Sequence, residues 1–337
     1  AIGLTAMSNI SPMALVQLKR LLGDKDAFDV SGWAHRVAER HPEAIPLHFQ
    51  FQPELKRDTF SVEICPNGMC LLKAITHFYE RLMGASTVEP LEYPEGLRLT
   101  DVDSLKYLIN LLGDLHQPLH LGLLEDEGGQ KLNGFYPTTA DGRSATTLFE
   151  LWNCNVIKKM SVERSHFWNS GWTHVNFLRR GLMATEKENW ERMKDNNYTD
   201  AFRLWASESV NLSNSHCYKG GSVKQDFEVT QTDALMAFEF IRTRLLLAGL
   251  RTSLVLNTIL AQRNANKLRR GTGIVVEDEK TGSPLSGYLG QQHWMRNLTL
   301  NLTVAFFVVL AFLYFLKCCH RNASSKGSPR KGMEKRF

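Results

Sequence analysis

The chain has 337 residues, of which 43% are hydrophobic, and this is enough to bury a full core as one large domain with appendages. The formal net charge of +5 comes from the carboxyl terminus, because residues 317–337 hold seven Lys/Arg and one Asp/Glu and the rest of the chain sums to −1. The composition therefore excludes nucleic-acid binding that relies on a positive electrostatic field of the whole domain. Any contact with nucleic acid would have to come from a local cleft.

Apolar residues at helical spacing predict a mainly α domain over residues 1–265, with about nine or ten helices. No run alternates in the manner of a half-buried strand. The opening stretch has neither an initiator methionine nor a secretory hydrophobic region, so we expect the chain to begin inside a domain or after processing. The periodic segments are, in order, Ala1–Leu22, Cys65–Arg81, Leu105–Leu115, Val162–Thr173, Arg179–Asn197, Asn197–Leu212 and Asp226–Ala265.

The carboxyl-terminal part predicts a membrane anchor. Residues 266–297 are Gly-rich, charged and aperiodic, which is typical of a linker, and Leu298–Leu316 is long and apolar enough to cross a bilayer. The basic tail 317–337 is placed in the cytosol by the positive-inside bias. We therefore expect a single-pass membrane protein whose amino-terminal domain is lumenal or extracellular, with Asn197 and Asn211 as glycosylation acceptors. A buried core helix is the alternative for the span.

The stretch Leu105–His120, LKYLINLLGDLHQPLH, places a carboxylate and two imidazoles at one end of a core helix. Pro118 ends the helix, so Asp114 and His116 lie in its last turn and His120 lies just beyond. Asp oxygen and His nitrogen are both zinc ligands, so this end is a candidate metal site. The alternative is a capped helix whose histidines face solvent.

Four sequences share their order and spacing with one known family, namely GDLHQPLH at Gly113–His120, DEGGQ at Asp126–Gln130, LFELWN at Leu148–Asn153 and GLRTSLVLNTIL at Gly249–Leu260. Over residues 1–263 the chain resembles the trinuclear-zinc, single-strand-specific nucleases. Its anchor favours the membrane-anchored trypanosomatid class I nuclease/3'-nucleotidases among them. The resemblance implies a helical domain of the zinc nuclease/phospholipase C type, zinc as cofactor, and nucleotides or single-stranded nucleic acid as ligands.

The resemblance assigns metal ligation to three retained residues, His48, Asp114 and His120. His116 is not a ligand position in that family, and we interpret it as a supporting or structural residue. In that family the mature protein opens with a tryptophan and a histidine that bind zinc, and we expect this chain to begin after those two positions.

Four other ligand positions of the family are substituted in this chain. His35 stands for an aspartate, Asn110 for a histidine, Phe149 for a histidine and Asn153 for an aspartate. His35, Asn110 and Asn153 remain weak candidate ligands, whereas a phenyl ring cannot donate to a metal. The resemblance therefore implies zinc at reduced occupancy or none, and it supports no catalytic residue.

Two further substitutions alter the substrate contacts that the resemblance implies. Phe51 stands where the family often has a polar or acidic residue that helps to seat the base. Glu127 replaces an arginine, which reverses the charge that faces a phosphate. We expect the long polar loop Gly122–Thr147, which contains Glu127, to carry substrate contacts.

The four cysteines before the anchor predict two disulfides in a lumenal domain. Cys65 and Cys70 match a close pair of the family. Cys217 also matches a family position whose usual partner is absent, and Cys154 is the thiol left to pair with it. A zinc thiolate site is disfavoured because the chain has no second close pair.

The leading functional hypothesis is a membrane-anchored, non-catalytic homologue that keeps the nuclease fold and binds a nucleotide or a protein partner. The first alternative is an active metal-dependent endonuclease or 3'-nucleotidase that works with one metal on His35, His48 and Asp114. The second alternative is a purely structural subunit of a membrane assembly. Metal content of the purified domain separates these hypotheses, because only the enzyme requires a stoichiometric ion.

Overall fold

A computed structural model describes residues 1–55, 64–91, 99–138, 142–163, 172–193 and 198–270. The predicted linker from 271 onward, the predicted membrane span Leu298–Leu316 and the basic tail lie outside the described residues. They stay predictions from the sequence.

The described residues form a mainly α-helical domain, as the sequence predicts. Short 3₁₀ turns at Pro42–His48 and Pro118–Leu121 connect some of the helices, and a π-helical turn, Leu151–Asn155, joins the sixth to the seventh. The helices are α1 (Ile2–Met7), α2 (Pro12–Leu22), α3 (Trp33–Arg40), α4 (Leu71–Met83), α5 (Asp101–Leu115), α6 (Leu148–Glu150), α7 (Val156–Glu163), α8 (Trp172–Met193), α9 (Thr199–Leu212) and α10 (Gln231–Arg270).

Helix α5 is the centre of the domain. It begins at a capping box in which the Thr100 hydroxyl accepts from the Asp103 amide and the Asp103 carboxylate accepts from the Thr100 amide. Ten of its fifteen residues are buried, and Tyr107 stacks on Phe78 of α4 with ring centres 5.0 Å apart. The predicted core helix is therefore present, and its polar end lies inside the protein rather than in solvent.

Helix α10 is the longest helix, and it runs past residue 265, where the apolar periodicity fades, to Arg270. Its part Gln231–Asn264 is long and apolar enough to cross a bilayer, yet 67% of its most apolar window is buried inside the domain. The core helix of a soluble protein has the same properties. Because Leu250, Val255 and Ile259 are fully buried, this helix forms part of the core.

Three short strands lie where the sequence predicts no strand. β1 (Asn133–Pro137) pairs antiparallel with β2 (Arg143–Thr147) and parallel with β3 (Phe227–Glu228). A Cβ added at Gly134 would lie 2.4 Å from the Phe227 carbonyl oxygen, so only glycine permits this approach. Strands of two to five residues are too short to give a readable alternation, which explains why the sequence prediction was wrong here.

The disulfide prediction is half right. Cys65 and Cys70 are bonded and close the loop that enters α4. Cys154 and Cys217 are free thiols, so the suggested pairing between them is wrong. Cys217 is buried in an apolar cluster with Leu119 and Phe238, where burial raises the pKa of its thiol well above the usual value. A neutral, fully packed thiol behaves as a small apolar side chain rather than as a disulfide partner.

Candidate metal centre and the cavity beside it

Four elements bring the three retained ligand candidates and His35 to one place. His35 comes from α3, His48 ends a 3₁₀ turn, Asp114 lies in the last turn of α5 and His120 lies in the next 3₁₀ turn. His48 Nδ1 is 2.7 Å from Asp114 Oδ2, and His35 Nε2 is 3.5 Å from Asp114 Oδ1. His120 Nε2 is 4.0 Å from Asp114 Oδ1. Asp114 is therefore the centre around which three imidazoles converge.

Backbone hydrogen bonds fix the segment that carries His48. The Gln50 amide donates to the His120 carbonyl at 2.9 Å, and the Leu71 amide at the start of α4 donates to the Phe49 carbonyl at 3.0 Å. His120 Nδ1 donates to the His48 carbonyl at 2.7 Å. A carbonyl only accepts, so this bond fixes the tautomer of His120 and leaves its Nε2 facing Asp114. The imidazoles thus have defined orientations.

The electrostatics of the site follow from burial and from this geometry. Burial alone would raise the pKa of Asp114, but the neighbouring imidazoles of His120, His48 and His35 hold that pKa far below its usual value. The hydrogen bond to Asp114 raises the pKa of His35. Burial lowers the pKa of His120 despite the attraction of Asp114. The site therefore presents an ionised carboxylate, as metal binding requires, whereas the raised pKa of His35 favours a proton that a bound ion would have to displace.

One metal ion fits the donor set of His35, His48 and Asp114. One ligand atom from each residue lies within 4.8 Å of the others. His48 Nδ1 faces the Asp114 carboxylate, while its Nε2 is buried without a hydrogen-bond partner in the part of the chain that is described. An unpartnered buried nitrogen carries a desolvation cost that a bound ion would offset. Two nitrogens and one carboxylate oxygen are a donor set that suits zinc.

The side-chain amide of Asn110 has hydrogen-bond partners for its nitrogen and none among the described residues for its oxygen. Its Nδ2 donates to the carbonyls of Val30 at 2.9 Å and Lys106 at 2.7 Å. Because both of these partners accept, the amide orientation is fixed. Its Oδ1 is buried and has no partner among the described residues.

The surroundings of His120 are aromatic. Phe49 stacks on the His120 ring with centres 4.6 Å apart and planes 9° apart, and the Phe149 ring lies 5.4 Å away. Phe49 and Phe149 also contact each other at 5.9 Å. Asn153, the other weak candidate on that side, is exposed and lines the cavity that also touches His35 and Asp114. His120 is thus enclosed by two phenyl rings, and these residues fit no second ion.

The loop that precedes β1 is rigidly held next to this aromatic enclosure. The Asp126 carboxylate accepts from the Gly129 amide and from the Tyr218 hydroxyl, both at 2.7 Å. A Cβ on Gly128 would lie 2.3 Å from the Leu119 carbonyl oxygen and 2.7 Å from the Phe51 ring, so Phe51 packs against bare backbone. The supporting roles of Asp126 and Tyr218 are not predicted from the sequence, although an Asp two residues before a Gly-Gly pair is a turn signal.

Glu127 stands in this loop with a positive φ of 54°, and its carboxylate pairs with Lys131 at 2.7 Å in an exposed salt bridge. The carboxylate therefore has a cation of its own. A second cleft runs from Glu127 past Phe51 and Phe49 to Met69. It is lined mainly by apolar side chains.

His116 belongs to a separate ionic network behind α5. Its Nδ1 donates to the Leu112 carbonyl at 2.7 Å, and its Nε2 accepts from Arg251 at 3.1 Å. Arg251 also binds Glu186 at 2.8 Å and Glu208 at 2.7 Å. Burial and the two guanidinium groups of Arg251 and Arg244 lower the pKa of His116 well below its usual value. This agrees with the structural role expected of His116.

A cavity of about 180 Å³ opens beside the metal candidates. Residues of α5 form one wall of it, including Asn110, Asp114 and the adjoining Gln117, and His35 lies at the same wall. Apolar side chains also line it, including Trp152, Ile157, Phe240, Ile241 and Leu245, together with the polar side chains of Asn153, His116 and Arg244.

Comparison with known proteins is consistent with this architecture. A family model described as S1/P1 Nuclease matches residues 1–261. Endonuclease 2 of Arabidopsis thaliana is 26% identical over 271 residues, which cover 75% of this chain and 86% of that protein. Endonuclease 4 of the same plant is 25% identical over 276 residues, covering 77% and 86%. Nuclease S1 of Aspergillus oryzae is 25% identical over 184 residues, covering 51% and 58%.

Proposed function

The chain belongs to the S1/P1 nuclease family, and from this membership and the geometry of its site we propose that it binds nucleotides or single-stranded nucleic acid at one metal without cleaving them at a rate near the family's. The family is zinc-dependent, and its named relatives are nucleases. This member keeps the helical fold and one set of metal-donor residues, His35, His48 and Asp114. It lacks the donors for a second ion at His120.

The observation that carries the proposal is the aromatic enclosure of His120. The resemblance puts two further ligands of the same ion at Phe149 and Asn153. Neither can serve well, because a phenyl ring offers no lone pair and an amide oxygen is a weak, neutral donor. Phe49 and Phe149 instead pack on the imidazole at ring distances of 4.6 and 5.4 Å. One firm ligand does not hold a zinc ion, so activation of water there is lost.

The chain's own residues would hold a single ion on the other side of Asp114. His35 and His48 would bind it through imidazole nitrogens, and Asp114 through a carboxylate oxygen. When bound, zinc supplies Lewis acidity toward a phosphate oxygen. His35 is 53% exposed, so a phosphate could approach from its side. Phe51 and the Lys131-paired Glu127 border the neighbouring cleft, and neither offers a positive charge to a phosphate.

A second candidate function is a weak single-metal phosphoesterase. The close grouping of His35, His48 and Asp114 favours it, because three protein ligands with an open position are the usual catalytic zinc arrangement. The purely structural alternative needs no ion. Binding of metal and cleavage of substrate therefore have to be measured together.

The test uses the full chain, loaded with zinc and then dialysed. Elemental analysis should find about one zinc per chain. A fluorescent single-stranded DNA and a 3'-nucleotide should bind but remain uncleaved over the time in which an active family nuclease digests them completely. Asp114→Ala should abolish zinc retention. Robust zinc-dependent cleavage that Asp114→Ala removes would overturn the non-catalytic proposal, and absence of both zinc and nucleotide binding would favour the structural role.

The proposal includes the predicted organisation of the chain: a nuclease-like domain over 1–265, a linker over 266–297, a membrane span at Leu298–Leu316 and a cytosolic tail. A protein partner in a membrane assembly and kinship with the anchored trypanosomatid enzymes belong to the same proposal. Protease added to intact cells should digest an extracellular domain and spare the tail. Digestion of the tail alone would reverse the orientation.

A further inference from the structure

The start of helix α3, which carries His35, has little support of its own. The helix is eight residues long, and its amino-terminal cap, Gly32, offers no side chain to accept from the free amides. A helix this short is unstable in isolation and depends on tertiary contacts. Its buried residues are Ala34 and Ala38, so the buried face is narrow. The position of His35 therefore depends on the contacts that hold the start of α3 against the rest of the domain.

The side-chain amide of Asn110 provides such a contact. Asn110 Nδ2 donates to the Val30 carbonyl at 2.9 Å and to the Lys106 carbonyl at 2.7 Å. The Val30 carbonyl also accepts from the amide of Trp33, the first residue of α3, at 3.0 Å. One carbonyl thus joins the first turn of α3 to the middle of α5. Because Asn110 is only 5% exposed, this hydrogen bond is shielded from competing water.

Two neighbours of Asn110 on α5 contact the same start of α3. The rings of Tyr107 and Trp33 meet edge to face with centres 5.3 Å apart, and Lys106 Nζ lies 4.7 Å from the centre of the Trp33 ring. Ring contacts of this kind tolerate a range of geometries, whereas a hydrogen bond from an N–H to a carbonyl requires a defined direction. Asn110 is therefore the contact that fixes where α3 begins along α5.

The carboxyl end of α5 receives His35. Asp114 lies one turn beyond Asn110 on the same helix face, and its Oδ1 is 3.5 Å from His35 Nε2. The His35 ring also stacks on the His48 ring with centres 4.6 Å apart. A shift of α3 along α5 would therefore move His35 away from both of these side chains.

We propose that Asn110 is a positioning residue for the metal centre and not one of its ligands: its amide nitrogen holds the start of α3 so that His35 reaches the ion beside Asp114. The resemblance puts a histidine ligand at position 110, so the substitution converts a metal donor into an anchor for another donor. For the ion itself, this role rests on the proposed function. It requires no contact between Asn110 Oδ1 and the metal.

Asn110→Asp separates a positioning residue from a ligand by the sign of its effect. Aspartate keeps the shape of the side chain but replaces the donating nitrogen by an oxygen, which faces the carbonyls of Val30 and Lys106 as an acceptor. A ligand role predicts tighter zinc binding, because a carboxylate is a better donor than an amide oxygen and adds a negative charge. The positioning role predicts binding weakened by roughly 10–100-fold, the usual effect of losing a supporting contact around a metal site. Competition between the full chain and a chromophoric chelator measures the affinity.

A double-mutant cycle tests whether Asn110 acts through His35. His35→Ala removes the donor itself, so Asn110→Asp should cause no further loss of zinc affinity in that background. Losses that add would show an effect independent of His35 and would overturn the positioning role. Asn110→Ser, which is too short to span the distance to Val30 and adds no charge, repeats the cycle and decides the question if Asn110→Asp does not fold.

Asn257→Asp is the matched control. Asn257 Nδ2 donates to the Asn9 carbonyl at 3.2 Å, and its Oδ1 accepts from the Ser11 amide at 2.9 Å, so this side-chain amide holds the start of α2 against α10. Loss of its donor should leave the zinc affinity of the unmodified chain. An equal loss of affinity in Asn257→Asp would mean that any weakened anchor has this effect, which contradicts a specific role for Asn110.

Hydrogen exchange of the zinc-free chain separates this proposal from the proposed function. The amides of α3 should exchange faster in Asn110→Asp and Asn110→Ser than in the unmodified chain and in Asn257→Asp. Faster exchange of α3 in a chain that binds no zinc supports the anchor and refutes the metal of the proposed function. Unchanged exchange of α3 overturns the anchor whether or not zinc binds. A zinc affinity that rises or stays the same in Asn110→Asp overturns it as well.

Discussion

The two sides of the α5 carboxyl end differ in how completely their polar atoms are paired. On one side, both ring nitrogens of His116 have partners, and Arg251 binds Glu186, Glu208 and His116 at once. On the other side, His48 Nε2 and Asn110 Oδ1 are buried with no partner among the described residues.

This difference separates a structural role from a binding role. A fully paired buried network is rigid and holds α5 against α8, α9 and α10. An incompletely paired site has donors and acceptors whose desolvation cost is offset only when something binds. We therefore expect changes on the His116 side to lower stability, and changes on the Asp114 side to lower ligand binding with a smaller effect on stability.

Arg251→Met should have the largest effect. It leaves the carboxylate of Glu186, 10% exposed, without its charge partner, and removing one member of a buried pair costs about 3–5 kcal/mol. Chemical denaturation should show a free energy of unfolding lowered by about this amount. Arg192→Met is the matched control, because Arg192 and Glu188 form an exposed i,i+4 pair worth about 0.3–0.5 kcal/mol. Equal losses in both variants would contradict a structural role for the network.

Asp114→Asn should have the next largest effect, on metal affinity rather than on stability. It keeps the shape of the side chain but removes the charge on which three imidazoles converge. We expect zinc affinity to fall at least 100-fold, or about 2.7 kcal/mol. Competition with a chromophoric chelator measures this change. Asp200→Asn, an exposed carboxylate in the first turn of α9, should leave the affinity as it is. Unchanged affinity in Asp114→Asn would remove Asp114 from the site.

The sequence predicts the structural side of this comparison better than the binding side. The structural role of His116 is an interpretation from the resemblance, whereas the buried face of α5 and its end before Pro118 follow from local spacing and from the chemistry of proline. The same holds for the Cys65–Cys70 bond, whose partners lie five positions apart. These features depend on neighbours in the chain, which a sequence displays directly.

The aromatic enclosure of His120 could not be predicted, because Phe49 and Phe149 are a hundred positions apart in the chain and meet only after folding. The unpaired atoms of Asn110 and His48 are equally invisible in a sequence. An asparagine reads as a weak ligand until its amide is seen bonded to two carbonyls. The short strands and the free thiols of Cys154 and Cys217 likewise depend on tertiary approach.

Phe149→His combined with Asn153→Asp tests the aromatic side of Asp114. The double change gives His120 two additional donors of the type that zinc prefers. We expect native mass spectrometry to detect a second, weaker ion per chain, with an affinity gain of roughly 10–100-fold over the unmodified chain at that position. Phe149→Leu removes the ring without adding a donor and should still bind one ion. A second ion in Phe149→Leu would mean that the phenyl ring merely blocks access.

The smallest effect is expected for an ordinary exposed interaction, and it gives a reference value for the larger effects at the two sides of α5. Asp233 at the start of α10 accepts from Lys219 at 2.7 Å, from the Thr230 hydroxyl at 2.6 Å and from the Thr230 amide at 3.1 Å, and these hydrogen bonds lower its pKa to about 2. Asp233→Asn should lower the free energy of unfolding by about 0.5–1 kcal/mol at pH 7, because a capping interaction weakens. Lys219 is half exposed, so solvent and salt screen the charge contribution.

Because the folded-state pKa is depressed, the contribution of Asp233 is complete above the unfolded pKa of about 3.9 and disappears as the pH falls through about 2. The stability difference between the two proteins should therefore close between pH values of about 4 and 2, and a difference that stays constant over that interval would show that the ionised carboxylate contributes nothing.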